Sequence, residues 1–533
     1  MSLALVPRCS SGCCRRSVAL MSRPLATAHN EAIKSYNEIP GPKPLPLIGN
    51  AFRFLPFIGE FGGMQADQMN KALHDKYGPI VKLTKIPGRR DMVFSFRPED
   101  VETTFRNEGP WPDREPLQSL NYFRDVIRKD FYKDGGGILT ENGKKWADSR
   151  SKVNQPMMQP KISRRYVPPI ADVAQEFVEK MRMMRDANEE LPADFNNELY
   201  KWALESIAFV ALDTRLGCLA TNLAPESEQQ RIIDAVNIAL DKLFDLEIGP
   251  PYWRIFTTPA AKQVFNALDV FLEVTVKYVE AAIDRVERRR RDGQDEDYEP
   301  SVLERLLARM DVKAASIMAQ DMLFGGIDTT SYSTAIAMYL LSKNKEKQEI
   351  LFKELKQLLP RKDTPFTDEK LEEMKYLKAV IKESMRVMPI VSLNLRNTTK
   401  DVVLCNYRIP EGVSVLMPNI TYRFDEDIYP QAKRFLPERW LKVRPEGAGR
   451  VGSAEDFDAV SHGKHHPFAF LPFGFGPRSC VGKRFAEMEM EILLAKVVRN
   501  FHVDYRYGEM KLTSKLINTV KDPMKFRLTE RNE

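Results

Sequence analysis

The longest apolar pattern in the chain runs from residue 313 to 341, where every turn carries several apolar side chains and charges are few. That density predicts a long helix buried on most of its sides. A second pattern, over 485–501, sets Phe485, Met488, Ile492, Ala495 and Val498 on one face of another long helix. Between about 165 and 390 the periodicity is mostly helical. Ile80–Leu83 and Met92–Phe94 are short alternating runs split by Pro87-Gly88, which predicts a hairpin. Strand-like runs return over 393–417, with turn chemistry at Asn406 and at Pro410-Glu411-Gly412, and a strand-like tail follows the last helix. The pattern predicts a mainly α chain with a small β region, α+β in class.

The stretch Ile39-Pro40-Gly41-Pro42-Lys43-Pro44-Leu45-Pro46 is stiff and extended. It predicts a Pro-rich hinge over 36–50, between a leader over 1–35 and a single domain over 51–533. The first thirty residues hold Arg8, Arg15, Arg16 and Arg23, many serines and no acid. That is the composition of a mitochondrial transit peptide. Net charge is +6, and without those four arginines the 80 basic and 74 acidic residues nearly balance. Nucleic acid is therefore not implied. No run of about 18 apolar residues is present, so no membrane-spanning helix is expected. Cys9, Cys13, Cys14, Cys218, Cys405 and Cys480 are too scattered for a disulfide framework. The first three lie close together but lack a histidine partner. Arg288–Arg291, followed by acids through Glu299, is expected to form a solvated loop between helices.

Candidate chemistry starts at Phe473-Gly474-Phe475-Gly476-Pro477-Arg478-Ser479-Cys480-Val481-Gly482. A lone cysteine is set among glycines just before a helix. Backbone amides and a helix N-terminus favour a thiolate there, and glycines let a bulky partner approach closely. A thiolate needs a counter-charge, and haem iron is one. On this pattern the stretch resembles the haem-thiolate loop of the cytochrome P-450 family. The resemblance implies a P-450 fold holding haem b, with Cys480 as the metal ligand and Phe473 and Arg478 among the cofactor-binding residues. It extends from about residue 38 to the C-terminus. Gly137–Gly143 and Met158-Gln159-Pro160-Lys161 are similar to the insect family-12 mitochondrial members.

Within the long helix lies Gly325-Gly326-Ile327-Asp328-Thr329-Thr330. Two mid-helix glycines cost roughly 1 kcal/mol each relative to alanine, and a buried acid costs more unless paired or neutral. Glycines there are expected to open the helical ladder for a small molecule. The order of acid and alcohol resembles the family's dioxygen-activating helix, which implies proton-relay roles for Asp328 and Thr329. A kink with a threonine bonded back to its own turn is the plainer account.

The resemblance assigns further residues. Glu383 and Arg386, three apart on one helix, join Arg439 of Pro437-Glu438-Arg439-Trp440 in a buried structural network. Trp146, Arg150, Arg478 and Arg396 meet the haem propionates, for which arginine forks are suited. Lys378 and Lys382, one helical turn apart, and Arg484 meet an acidic, adrenodoxin-like [2Fe-2S] ferredoxin, itself served by an NADPH-dependent reductase. Leu243–Phe256 is expected to be a loop with apolar tips that either touches a membrane interface or caps the active site. Phe123, Phe244, Met322, Phe324, Val391, Leu393 and Ile517 are expected to line an apolar pocket. The six histidines carry no role.

The implied activity is monooxygenation of a lipophilic substrate, a xenobiotic or a sterol or ecdysteroid, with dioxygen and ferredoxin electrons. The implied location is the matrix side of the mitochondrial inner membrane, in peripheral contact. Three alternatives stay open: a haem-thiolate isomerase or dehydratase, a haem gas sensor, and a haem scaffold without catalysis. Asp328 with Thr329 argues against the first, and the lack of an output domain against the second.

Overall fold

A computed structural model describes residues 32–532 apart from 56, 115–116, 134, 293–297, 420, 448–449, 462 and 464–465. Most of the leader, with Cys9, Cys13, Cys14 and His29, lies outside the described residues, as do His462 and His465.

Alternation and turn chemistry produce a four-stranded sheet at one side. Strands β1 (Ile80–Leu83) and β2 (Met92–Ser95) form the expected hairpin, with Ile80 opposite Ser95 and Leu83 opposite Met92. Strands β3 (Leu393–Asn397) and β4 (Ser414–Pro418) complete it in the order β1-β2-β4-β3. β4 runs parallel to β2 and antiparallel to β3. All of β4 is buried, as expected of a central strand covered on both faces. The Pro-rich segment lies against this sheet: Lys82 N–H donates to Pro40 O at 3.0 Å, and Ile39 is buried.

The helices form the larger layer. They include α1 (Gly143–Met158), α2 (Val167–Met184), α3 (Phe195–Leu212), α4 (Glu228–Glu247), α5 (Pro259–Asp292), α6 (Val312–Lys343), α7 (Lys375–Val387) and α8 (Lys483–Asn500). α6 is the apolar pattern read above, about 48 Å long at 1.5 Å per residue. Asp311 caps its start by accepting from Ala314 N at 2.8 Å, and α3, α4, α5 and α8 pack around it. After α8 the chain pairs Phe501–Tyr505 antiparallel with Phe526–Glu530. The fold is mainly α with a small β region, as the pattern predicts.

Two local expectations change. Arg288–Arg291 close α5 and do not form a free loop; Arg289 pairs with Asp213 at 3.1 Å and Arg290 donates to Glu304 O. The segment expected as a loop over Leu243–Phe256 is helical to Glu247. Its Trp253 turns inward, donating to Leu246 O at 3.2 Å and packing on Phe265, while Ile255 and Phe256 point out. No helix among the described residues is long and apolar enough to cross a membrane.

Candidate functional site

The turn that ends at Cys480 is built from its glycines. Cys480 N–H donates to Phe473 O at 2.8 Å and Ser479 N–H to Gly476 O at 3.0 Å. At Gly476 φ is +73°, and a Cβ would stand 2.3 Å from Glu108 Oε1, so both backbone and space require glycine. α8 follows at once. Burial raises the Cys480 thiol pKa, while the N–H groups of Gly482 and Lys483 and the Arg150 charge draw it down. The thiol is surrounded by protein yet its surface is exposed. It therefore faces an internal opening.

Three sides hold this turn. Arg150 on α1 donates to Ser479 O at 2.7 Å. Arg396 on β3 donates to Phe475 O at 3.3 Å and is ion-paired to buried Glu108. Glu383, fully buried on α7, accepts from Arg386 at 2.7 and 2.9 Å, from Leu436 N at 3.0 Å and from Trp440 Nε1 at 2.9 Å. Arg439 completes this group at 3.6 Å from Glu383. Trp440 then packs on Phe470, with ring centroids 4.4 Å apart, just before the cysteine turn. Glu383, Arg386 and Arg439 are thus one buried network.

A second feature is an excess of buried cation. Arg478 lies over the Trp146 ring at 4.1 Å and donates to Glu141 O at 2.6 Å and Pro112 O at 3.1 Å. Its Nη1 is buried with no hydrogen-bond partner among the described residues. Burial, and then the charges of Arg114 and Arg396 with a smaller part from Arg150, pull its pKa down to about 9, against an upward pull from Asp113. Arg114, which the sequence reading passed over, is pulled down to about 10 by burial and by Arg396 and Arg150. Like charges close together disfavour one another's ionised form. Four guanidiniums therefore share a region that holds few anions.

On α6 the two glycines do different work. A Cβ on Gly326 would stand 2.8 Å from Ile207 Cγ1, so this glycine permits close packing on α3. A Cβ on Gly325 would meet nothing within 4 Å, and Gly325 is exposed in the middle of a buried helix. It borders open space. The expected opening of the ladder does not occur: α6 is unbroken, and Thr329 Oγ1 donates to Gly325 O at 2.8 Å. Asp328 is buried on another side of α6, and burial alone raises its pKa to about 7.

The remaining expected residues divide. Lys378 is half-buried and Lys382 exposed on α7, and both act on Glu487 and Glu491 of α8. Arg484 is exposed but tethered, its Nε donating to Met158 O at 2.5 Å. Phe473 is half-buried beneath Lys483. Phe123, Met322, Phe324 and Ile517 are buried, Phe244 and Leu393 half-buried, and Val391 partly exposed. Among the described residues no cluster of three or more His, Cys, Asp or Glu is arranged to hold a metal ion.

Residues 39–528 match the family model described as "Cytochrome P450". The chain belongs to the cytochrome P450 family. It is 41% identical over 500 residues to "Probable cytochrome P450 12a5, mitochondrial" of Drosophila melanogaster, covering 93% of this chain and 91% of the relative. It is 40% identical to "Probable cytochrome P450 301a1, mitochondrial" of the same species over 93% and 87%. It is 37% identical to "Cytochrome P450 CYP12A2" of Musca domestica over 95% and 93%. The similarity to insect family-12 members is thus supported beyond the short stretches that first suggested it. This P450 is an oxidoreductase, a haem-thiolate monooxygenase, and its cofactor is haem b.

The residues present fit that cofactor. Haem b carries two carboxylates, and the P450 offers an unsatisfied N–H on Arg478 within a cluster of buried guanidiniums. It requires a soft axial ligand, and the Cys480 thiol faces an opening. It requires space beside α6, and Gly325 leaves it. Two residues were missed in the sequence. Arg114 stands in Trp111-Pro112-Asp113-Arg114, which has no regular pattern around it. Asn237 contacts Asp328 across two helices, a relation that no local spacing reveals.

Proposed function

We propose that this P450 is a mitochondrial monooxygenase that oxidises a lipophilic substrate, a xenobiotic or a sterol of ecdysteroid type, with electrons from an adrenodoxin-like [2Fe-2S] ferredoxin. The observation that carries the haem part of the reading is the pairing of an opening-facing thiol at Cys480 with an excess of buried arginine; relatives named mitochondrial and the exposed Lys382 support the rest. Bound haem supplies dioxygen activation and the oxidising step. Cys480 binds as thiolate, and the Gly482 and Lys483 N–H groups temper its charge. Arg114, Arg150, Arg396 and Arg478, with Trp146 beneath Arg478, receive the two propionates; Phe473 flanks the thiolate. Thr329 presents a hydroxyl to the open side of α6, and Asp328, buried on another side of the same turn, is the acid that feeds the proton relay without touching that hydroxyl. Glu383, Arg386 and Arg439 hold the cysteine turn and touch no reactant.

Lys378 and Lys382 receive the ferredoxin, with Arg484 beside them. Burial, the larger influence, raises Glu491 to about 8 and also raises Glu487. Near neutral pH Glu491 therefore cancels little of the lysine charge. Relatives named mitochondrial and the acid-free leader support the matrix location. Peripheral contact with the inner membrane uses the corner where Ile248 and Phe54 pack against the apolar cluster that holds Phe61. Leu47, Phe57, Ile58, Ile255 and Phe256 are exposed apolar side chains on the segments that meet there.

The test is reconstitution. Turnover should follow ferredoxin concentration and be poor with a microsomal flavoprotein reductase. The double variant Lys378→Gln/Lys382→Gln should bind ferredoxin markedly more weakly, with a shallower salt dependence, because the contact is largely electrostatic. Its haem spectrum and substrate binding should be unchanged. Full activity with the flavoprotein, together with normal ferredoxin binding by the double variant, overturns the assignment.

A further inference from the structure

Asp328 is completely enclosed, and no Lys or Arg among the described residues acts on it. A buried carboxyl without a cation needs a hydrogen-bonding partner. That partner is Asn237 on α4. With its amide nitrogen turned inward, Asn237 donates to Asp328 Oδ1 at 2.8 Å and to Oδ2 at 3.0 Å. An amide carries a donor and an acceptor of nearly equal size at its two ends. When Asp328 is protonated, its remaining carbonyl oxygen still accepts from the same amide N–H, so the contact persists in both states.

The other groups around Asp328 are tyrosines. Tyr200 on α3 and Tyr332 on α6 are hydrogen-bonded to each other through their hydroxyls and are both buried. Asn196 also bonds this pair. Both tyrosines are held neutral: burial and then Asp328 push Tyr200 far up, and burial pushes Tyr332 up to about 12. Asp241, the next acid on α4, acts on Tyr332 and is itself paired with Lys515 at 2.6 Å and Lys242 at 3.0 Å. Among the described residues, no charge acting on Asp328 fixes its protonation state.

We propose that Asn237 is the positioning residue for Asp328, holding the carboxyl in both protonation states so that it can give up and regain a proton. The inference rests on the reading of Asp328 as the proton source. A lysine or arginine in place of Asn237 would hold the carboxylate and oppose its reprotonation. An apolar residue would strand the carboxylate and oppose its ionisation. The amide does neither.

The test follows the carboxyl directly. The C=O stretch of protonated Asp328, isolated as the infrared difference between the parent and Asp328→Asn, is titrated in the haem-loaded protein. Asn237→Leu should move the midpoint up, and Asn237→Lys down, each by about one pH unit or more. The pH at which peroxide release per NADPH begins to climb should move the same way in each variant. Asn237→Gln keeps an amide and should titrate near the parent; it serves as the reference for Asn237→Leu should the lysine variant not take up haem. Midpoints that stay at the parent value, or that move in one direction for both Leu and Lys, overturn the proposal. Failure of the underlying reading looks different: Asp328→Asn would then turn over with the parent's peroxide leak, while the titration still responds to Asn237.

Discussion

Asp328 and Thr329 are adjacent in sequence and opposite in setting. Thr329 is half-buried beside the open space at Gly325, its hydroxyl resting on Gly325 O. Thr329→Ala removes that hydroxyl together with a methyl group and leaves the α6 backbone intact. It should still bind haem but release several-fold more peroxide per NADPH consumed, measured by parallel assay of peroxide and product; a ratio equal to the parent's would mean that the hydroxyl moves no proton. Asp328 makes its own prediction about stability. Its folded pKa, about 7, lies above that of the unfolded chain, so the folded state binds the extra proton. Stability from this group is complete at low pH and declines as pH rises from roughly 4 through 7. Asp328→Asn should therefore melt higher than the parent at pH 8, and the gap should close near pH 4. The same residue scale shows what a sequence yields. The Cys480 turn was legible because its glycines and its helix are local. Arg114 was not, because its importance comes from Arg396, Arg150 and Arg478, which lie far away in the chain.

The elements were legible where their own periodicity decides them. α6 and α8 follow from apolar spacing, and the β1–β2 hairpin from Pro87-Gly88 between alternating runs. The segment ending at Trp253 was misread because Pro250-Pro251 suggests a long loop, whereas Leu243 and Leu246 are drawn into the core and extend α4. Gly325-Gly326 suggested a broken helix. Burial of α6 on nearly every side keeps its ladder closed despite the propensity cost. The element with most at stake is α7. Glu383 neutralises Arg386 and Arg439 where water does not reach, and it also accepts from Leu436 N and Trp440 Nε1. Removing one partner of a buried ionic group leaves the others uncompensated, at a cost of about 3–5 kcal/mol. Glu383→Gln should lower stability by that order in denaturant melts and reduce haem retention. A variant as stable as the parent would show that the network is dispensable.

At the scale of the molecule, the helical layer and the sheet converge on one small turn. α1 reaches it through Arg150, β3 through Arg396, and α7 through Glu383, Trp440 and Phe470. Such convergence positions a ligand atom against a rigid scaffold. It also leaves buried arginines whose charges repel until anions arrive, which ties the stability of the whole molecule to its cofactor. The central claim is that Cys480 is the axial ligand. The most direct measurement is the absorption spectrum of the reduced protein under carbon monoxide, for the parent and for Cys480→Ala. The parent should show the band diagnostic of thiolate-ligated haem, and Cys480→Ala should lose that band or the haem itself. A parent spectrum of the histidine-ligated kind, or a Cys480→Ala spectrum identical to the parent's, would contradict the account.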